Sequence, residues 1–204
     1  GNLTLMNSDT TEHKFKVENG KWNDNTDAEK IVYVTLYDGN GQWSSSGTGK
    51  LTAAEIPGVG SNAGAGYKAG AWDTAPSVET AIGADTVYTY TYAEDNKTIT
   101  YKIPDGADAD NAPDDKTEDV QATKKILIDP AGGTYGGTTE PTELTVTETT
   151  TIADPTRENY VFMGWTRSEA DGYAFQLTAT WSGDTKGDPE DPETKGDGIP
   201  DEVQ

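Results

Sequence analysis

Asn159-Tyr-Val-Phe-Met-Gly-Trp165 repeats, in other words, the earlier stretch Gly66-Tyr-Lys-Ala-Gly-Ala-Trp72. Working outward, the echo continues on both sides. Phe15-Lys-Val-Glu-Asn-Gly-Lys-Trp22 matches Ile126-Leu-Ile-Asp-Pro-Ala-Gly-Gly-Thr-Tyr135, each a strand that enters a glycine turn with an aromatic behind it. Lys30-Ile-Val-Tyr-Val-Thr-Leu36 matches Glu143-Leu-Thr-Val-Thr147, and Thr86-Val-Tyr-Thr-Tyr-Thr-Tyr-Ala93 matches Ala174-Phe-Gln-Leu-Thr-Ala-Thr-Trp181. A small module stated twice points to an array before it points to an active site.

Within the first copy, Phe15 and Val17 alternate with Lys14, Lys16 and Glu18, the period of a half-buried strand. Asn19-Gly20 offers a positive φ, a hairpin signal. Val32, Val34 and Leu36 face one way and Tyr33, Thr35 and Tyr37 the other, and the aliphatic face is assigned to the core. Residues 38–50 form a Gly/Ser-rich loop carrying Trp43, and Thr52-Ala-Ala-Glu55 has the form of a capping box opening a short helix that Pro57 and Gly58 stop. Thr86–Tyr92 and Thr98–Ile103 alternate cleanly around Ala-Glu-Asp-Asn-Lys and read as a hairpin. Residues 104–122 are acidic and have almost nothing to bury. Ordering each backbone residue costs about 1–2 kcal/mol, so the stretch reads as an extended linker. In the second copy Leu144, Val146, Phe162 and Leu177 are the expected core.

Three segments of the second copy carry a family pattern: Asp129-Pro-Ala-Gly-Gly-Thr134, Asp154-Pro-Thr-Arg-Glu-Asn-Tyr-Val-Phe-Met-Gly-Trp165 and Leu177-Thr-Ala-Thr-Trp181. Residues 124–182 thereby resemble the internalin-type B-repeats of bacterial surface proteins, with Asn159 standing where that family usually has Gly. The first copy is a longer, more distant relative. The resemblance implies a mostly β or α+β chain of two tandem, small β-grasp-like modules, with mixed sheets and at most one short helix each. The expected division is a leader over 1–12, a first module over 13–103, the linker over 104–122, a second module over 123–182 and an interrepeat spacer over 183–204. Trp72 and Trp165, with Tyr67 and Tyr160 ahead of them, take equivalent structural core positions, and Trp22 and Trp181 pack beside the strands. The setting so implied is extracellular, on or released from a Gram-positive cell, and without catalysis.

Composition narrows the chemistry. A formal net charge of -21 on 204 residues argues against nucleic acid, whose binding rests on Lys and Arg, and favours a soluble monomer. With no cysteine there is no disulfide, thiolate metal site or cysteine nucleophile. No apolar run is long enough to insert in a membrane, and no sorting signal is present. Because the chain starts with Gly1, it reads as an excised fragment with a tag scar. The lone His13 reads as an exposed residue at the edge of the first strand, with no nucleophile motif near it. No cofactor motif is complete, and no Lys, Asn and acid trio marks an isopeptide bond.

Two features remain as site candidates. Trp43, in a loop that the second copy lacks, either folds back over its sheet or offers a ligand platform. The tail, Lys195-Gly-Asp-Gly-Ile-Pro-Asp201, looks like a degenerate calcium loop. Asp197 and Asp201 remain while Lys195 occupies a ligand position, so a stiff spacer is the better reading. The expected function is a non-enzymatic repeat region acting as stalk or spacer, and as an interaction module toward a host, matrix or glycan partner. The alternatives are a carbohydrate- or mucin-binding adhesin module, or an ancillary region of a secreted glycan-degrading enzyme.

Overall fold

A computed structural model describes residues 10–35, 50–79, 84–104 and 113–183. The chain is mostly β and divides into two compact units, Gly1–Asp95 and Asn96–Gln204. The first unit holds β1 (Thr10–Glu18), β2 (Gly20–Lys21), β3 (Lys30–Thr35), β4 (Asn62–Ala63), β5 (Tyr67–Trp72) and β6 (Thr86–Glu94). Its main sheet has the order β3-β1-β6-β5, and β2 pairs separately with β4. β1 runs antiparallel to β3 and parallel to β6, and β5 runs antiparallel to β6. Phe15, Trp22, Val34, Leu51 and Tyr88 form the buried core, with Val32 and Trp72 half-buried against it. Phe15 stacks on Tyr88 at 4.9 Å, and Trp72 stands edge-on to Phe15 at 6.1 Å.

The second unit holds β7 (Asn96–Ile103), β8 (Asp114–Gln121), β9 (Lys125–Asp129), β10 (Thr142–Thr145), β11 (Thr150–Thr151), β12 (Val161–Ser168) and β13 (Phe175–Ser182). One sheet has the order β10-β9-β13-β12 and the other β11-β7-β8. Ile99, Tyr101 and Val120 from the smaller sheet join Ile126, Ile128, Trp165, Phe175, Leu177 and Ala179 from the larger in one core. Arg167 links the layers: its Nε donates to Glu118 Oε2 at 2.8 Å, and the Tyr101 hydroxyl donates to the same oxygen at 2.5 Å.

The two four-stranded sheets are built alike. β9 is antiparallel to β10 and parallel to β13, and β12 is antiparallel to β13, repeating the pattern of β1, β3, β6 and β5. The strands so matched are those of the sequence echo. Trp72 lies opposite Tyr90 and Trp165 opposite Ala179, at corresponding places on the fourth strand. Each fourth strand also carries a register shift, between Lys68 and Ala71 in one unit and between Phe162 and Gly164 in the other.

The structure departs from the sequence reading at several points. Residues 86–94 and 96–103 do not form a hairpin with each other. β6 pairs with β1 and β5, whereas β7 pairs with β8 and β11, so Tyr88 and Ile99 enter different cores. The first unit therefore ends at Asp95, ahead of the boundary at 103. The expected linker 104–122 contains β8, whose Val120 is buried and is followed by buried Ala122. A strand needs only one covered face, and β8 obtains its backbone partners from β7, with its charged residues exposed except for the half-buried Glu118. Lys102 lies opposite Asp115, an oppositely charged cross-strand pair. Ala53–Glu55 is a single 3-10 turn, with the Thr52 amide donating to the Glu55 carboxylate at 2.8 Å, because Pro57 and Gly58 follow too closely for further turns. Val34, Val146 and Leu177 are buried as expected, Val32, Leu144 and Phe162 are half-buried, and Leu36 lies outside the described residues.

If β7 and β8 complete the second core, a fragment starting at Asn96 should unfold cooperatively in urea. One starting at Thr123 lacks Ile99, Tyr101 and Val120 and should show no cooperative transition. Equal midpoints for the two fragments would return 96–122 to the status of a linker.

Candidate functional site

The motif residues of the second unit converge in space. Gly132 has φ 97°, and a Cβ at Gly133 would lie 2.6 Å from the Thr156 carbonyl and collide with the Trp181 ring. Only a residue without a side chain lets the turn approach that closely. The Arg157 guanidinium lies 3.6 Å from the centroid of the Tyr160 ring, and Trp181 Nε1 donates to the Pro130 carbonyl at 3.1 Å. Asn159 adopts φ 68°, and the corresponding Gly66 of the first unit has φ 87°. Both close the same turn: Tyr67 N donates to the Gly64 carbonyl at 3.0 Å, and Tyr160 N to the Arg157 carbonyl at 3.1 Å. These residues shape turns and hold the ends of strands together.

Of the expected core aromatics, Trp165 is buried, while Tyr67, Trp72 and Tyr160 are half-buried. Trp22 is the buried indole of the first unit, tilted against Trp72 at 6.1 Å. Among the described residues Trp165 Nε1 has no hydrogen-bond acceptor, and the Tyr135 and Phe162 rings pack edge-on around the indole at 5.8 and 5.2 Å.

His13 is buried, which corrects the expectation of an exposed residue. It alternates in phase with Thr11 and Phe15 on the covered face of β1. Its Nε2 lies 2.7 Å from Thr11 Oγ1 and its Nδ1 3.2 Å from the Tyr88 hydroxyl. Burial lowers its pKa below the usual 6.5, and the charges of Asp85 and Glu55 partly oppose that shift. The imidazole is a core group, closed to solvent.

The open feature lies on the other face of the same sheet. Three exposed apolar side chains, Ile31, Tyr33 and Val87, share it. Tyr33, which is 62% exposed, stands opposite Glu12, and its hydroxyl donates to Glu12 Oε2 at 3.4 Å. The Glu12 amide in turn donates to Asp85 Oδ1 at 2.8 Å. Thr10, Glu12, Tyr33 and Asp85 line a groove of about 520 Å³. In the next row Lys14 lies between Ile31 and Val87, and its Nζ is 3.9 Å from Glu29. The corresponding row of the second unit, Glu143, Leu127 and Gln176, is satisfied internally: Lys125 and the Tyr173 hydroxyl hold Glu143 at 3.3 and 2.5 Å and lower its pKa.

Trp43, Asp197 and Asp201 lie outside the described residues. Among the described residues there is no group of three His, Cys, Asp or Glu side chains able to hold a metal, and no helix long and apolar enough to cross a membrane. Alternation along 30–36 placed Tyr33 on the outward face, but the groove was not legible, because Asp85 reaches Glu12 only through the parallel pairing of β1 with β6. Comparison with protein-family models, curated proteins and solved structures finds no match to this chain.

Two measurements test these assignments. Gly133→Ala should cost the second unit about 1–3 kcal/mol, since backbone and a buttressing indole must shift, and a urea midpoint checks it. For His13 the folded pKa lies below the unfolded value of 6.5, so the unfolded chain takes up the proton first. Its contribution to stability is full above that value and declines as pH falls toward the folded pKa. Hydrogen-exchange protection of β1 amides, referenced to β9, should therefore fall on acidification through this window, and less so in His13→Gln.

Proposed function

We propose that this chain is a non-catalytic tandem-repeat region of a bacterial cell-surface or secreted protein. Its two units are B-repeat-like, β-grasp-like modules that act as a spacer and present their outer sheet faces to a host or matrix partner. The observation that carries this reading is the shared strand order and direction of the two four-stranded sheets, with the motif tryptophans at matching places. The Gly-Gly, Arg and aromatic positions of the motif serve turns and packing, which is the economy of a module built to be repeated. The strongly acidic composition, at a net charge of -21, suits a protein that stays apart from its own copies and recognises others through local patches.

An antibody raised against residues 96–183 tests the setting. Intact cells of the bacterium that makes the protein, or their culture medium, should carry the signal. Signal obtained only after permeabilisation would overturn the proposal.

A further inference from the structure

We propose that the groove on the outer face of the first unit is a receptor for an arginine side chain of a basic partner protein. This deepens the interaction role above by naming the partner's chemistry.

The argument starts from the groove's composition. Tyr33 supplies an exposed ring, and Glu12 and Asp85 supply two carboxylates. Among the described residues that line it none is cationic, and Lys14 in the next row is directed to Glu29. An aromatic face beside carboxylates suits a guanidinium. The planar group stacks on the ring, and its fork of N–H donors meets carboxylate oxygens, which an ammonium does less well. The chain's overall charge of -21 adds long-range attraction for a basic partner.

The second unit holds an arginine by the same chemistry, between two carboxylates and beside an aromatic ring. Arg167 donates to Glu118 at 2.8 Å and to Glu169 at 3.0 Å, and its guanidinium lies 4.6 Å from the centroid of the Phe175 ring. The Tyr101 hydroxyl donates to Glu118, as the Tyr33 hydroxyl does to Glu12. In the first-unit groove Tyr33 is at once the hydroxyl donor and the exposed ring, beside two carboxylates and without an arginine. The chain has two arginines, Arg157 and Arg167, and both are engaged in the second unit. An arginine for the groove has to come from another molecule. A second copy is a poor source, because its arginines are engaged in the same way and its charge repels.

The test is an amide-shift NMR titration of the whole chain with N-acetylarginine amide, with N-acetyllysine amide and lactose in parallel. Shifts confined to residues 10–14, 31–34 and 84–88, saturating at about millimolar concentration, are expected for a single side chain. The Glu12→Gln, Asp85→Asn double variant should weaken binding about tenfold by removing the charge-assisted hydrogen bonds. Tyr33→Leu should weaken it about threefold, and the lysine probe should bind about threefold more weakly than the arginine probe. Shifts spread over carboxylates of both units, unchanged affinity in the double variant, or lactose binding at these residues in place of arginine would each overturn the proposal. Such a failure leaves the surface-labelling result untouched, so the two proposals fail separately.

Discussion

Parallel hydrogen bonding between the first and last strands of each four-stranded sheet, β1 with β6 and β9 with β13, is the constraint on which the rest depends. Parallel neighbours cannot be joined by a tight turn, so everything between them must travel out and return. That journey places the second strand on one side of the central pair and the penultimate strand on the other, giving the same order twice. It also brings the end of the last strand over the turn after the first, where Trp181 crowds Gly133 and Tyr92 crowds Gly20. The glycine at each turn follows from that crossing.

From this shared frame the units diverge in how they close their cores. The second unit lays β7, β8 and β11 over its larger sheet, and Trp165 is sealed between layers. The first closes its core with Trp22 and Leu51 from outside its sheet, leaving Trp72 half-buried. Aromatic stacking among Phe15, Tyr88, Trp72 and Trp22 supplies contact area that a second sheet supplies elsewhere. The buried His13, hydrogen-bonded to Thr11 and Tyr88, belongs to this aromatic solution.

The outer faces diverge in a complementary way. In the second unit the cross-strand acid Glu143 is held by Lys125 and Tyr173. In the first unit the matching row carries exposed Ile31 and Val87, and Tyr33, Glu12 and Asp85 line a groove in the row beside it. Two sheets of the same strand order thus carry different outer faces, one with its acid held internally and one that exposes an aromatic ring beside two carboxylates.

The sequence by itself determined the β character and, in strands such as β3 and β13, the side that faces inward. Alternation in stretches such as Lys30–Thr35 and Phe175–Ser182 is a local property, fixed by the two-residue period of the strand. It also marked special turns, since Asn19, Gly132 and Asn159 all take the positive φ that their residue types allow. Only the tertiary structure decided which strands pair. Residues 96–103 were drawn away from β6 to β8, and an acidic stretch with little to bury became a strand because its partner offered hydrogen bonds and one covered face. The groove was decided at the same level. Residues 12, 33 and 85 become neighbours through one antiparallel and one parallel pairing, and register between distant strands is set by the packing of the whole sheet.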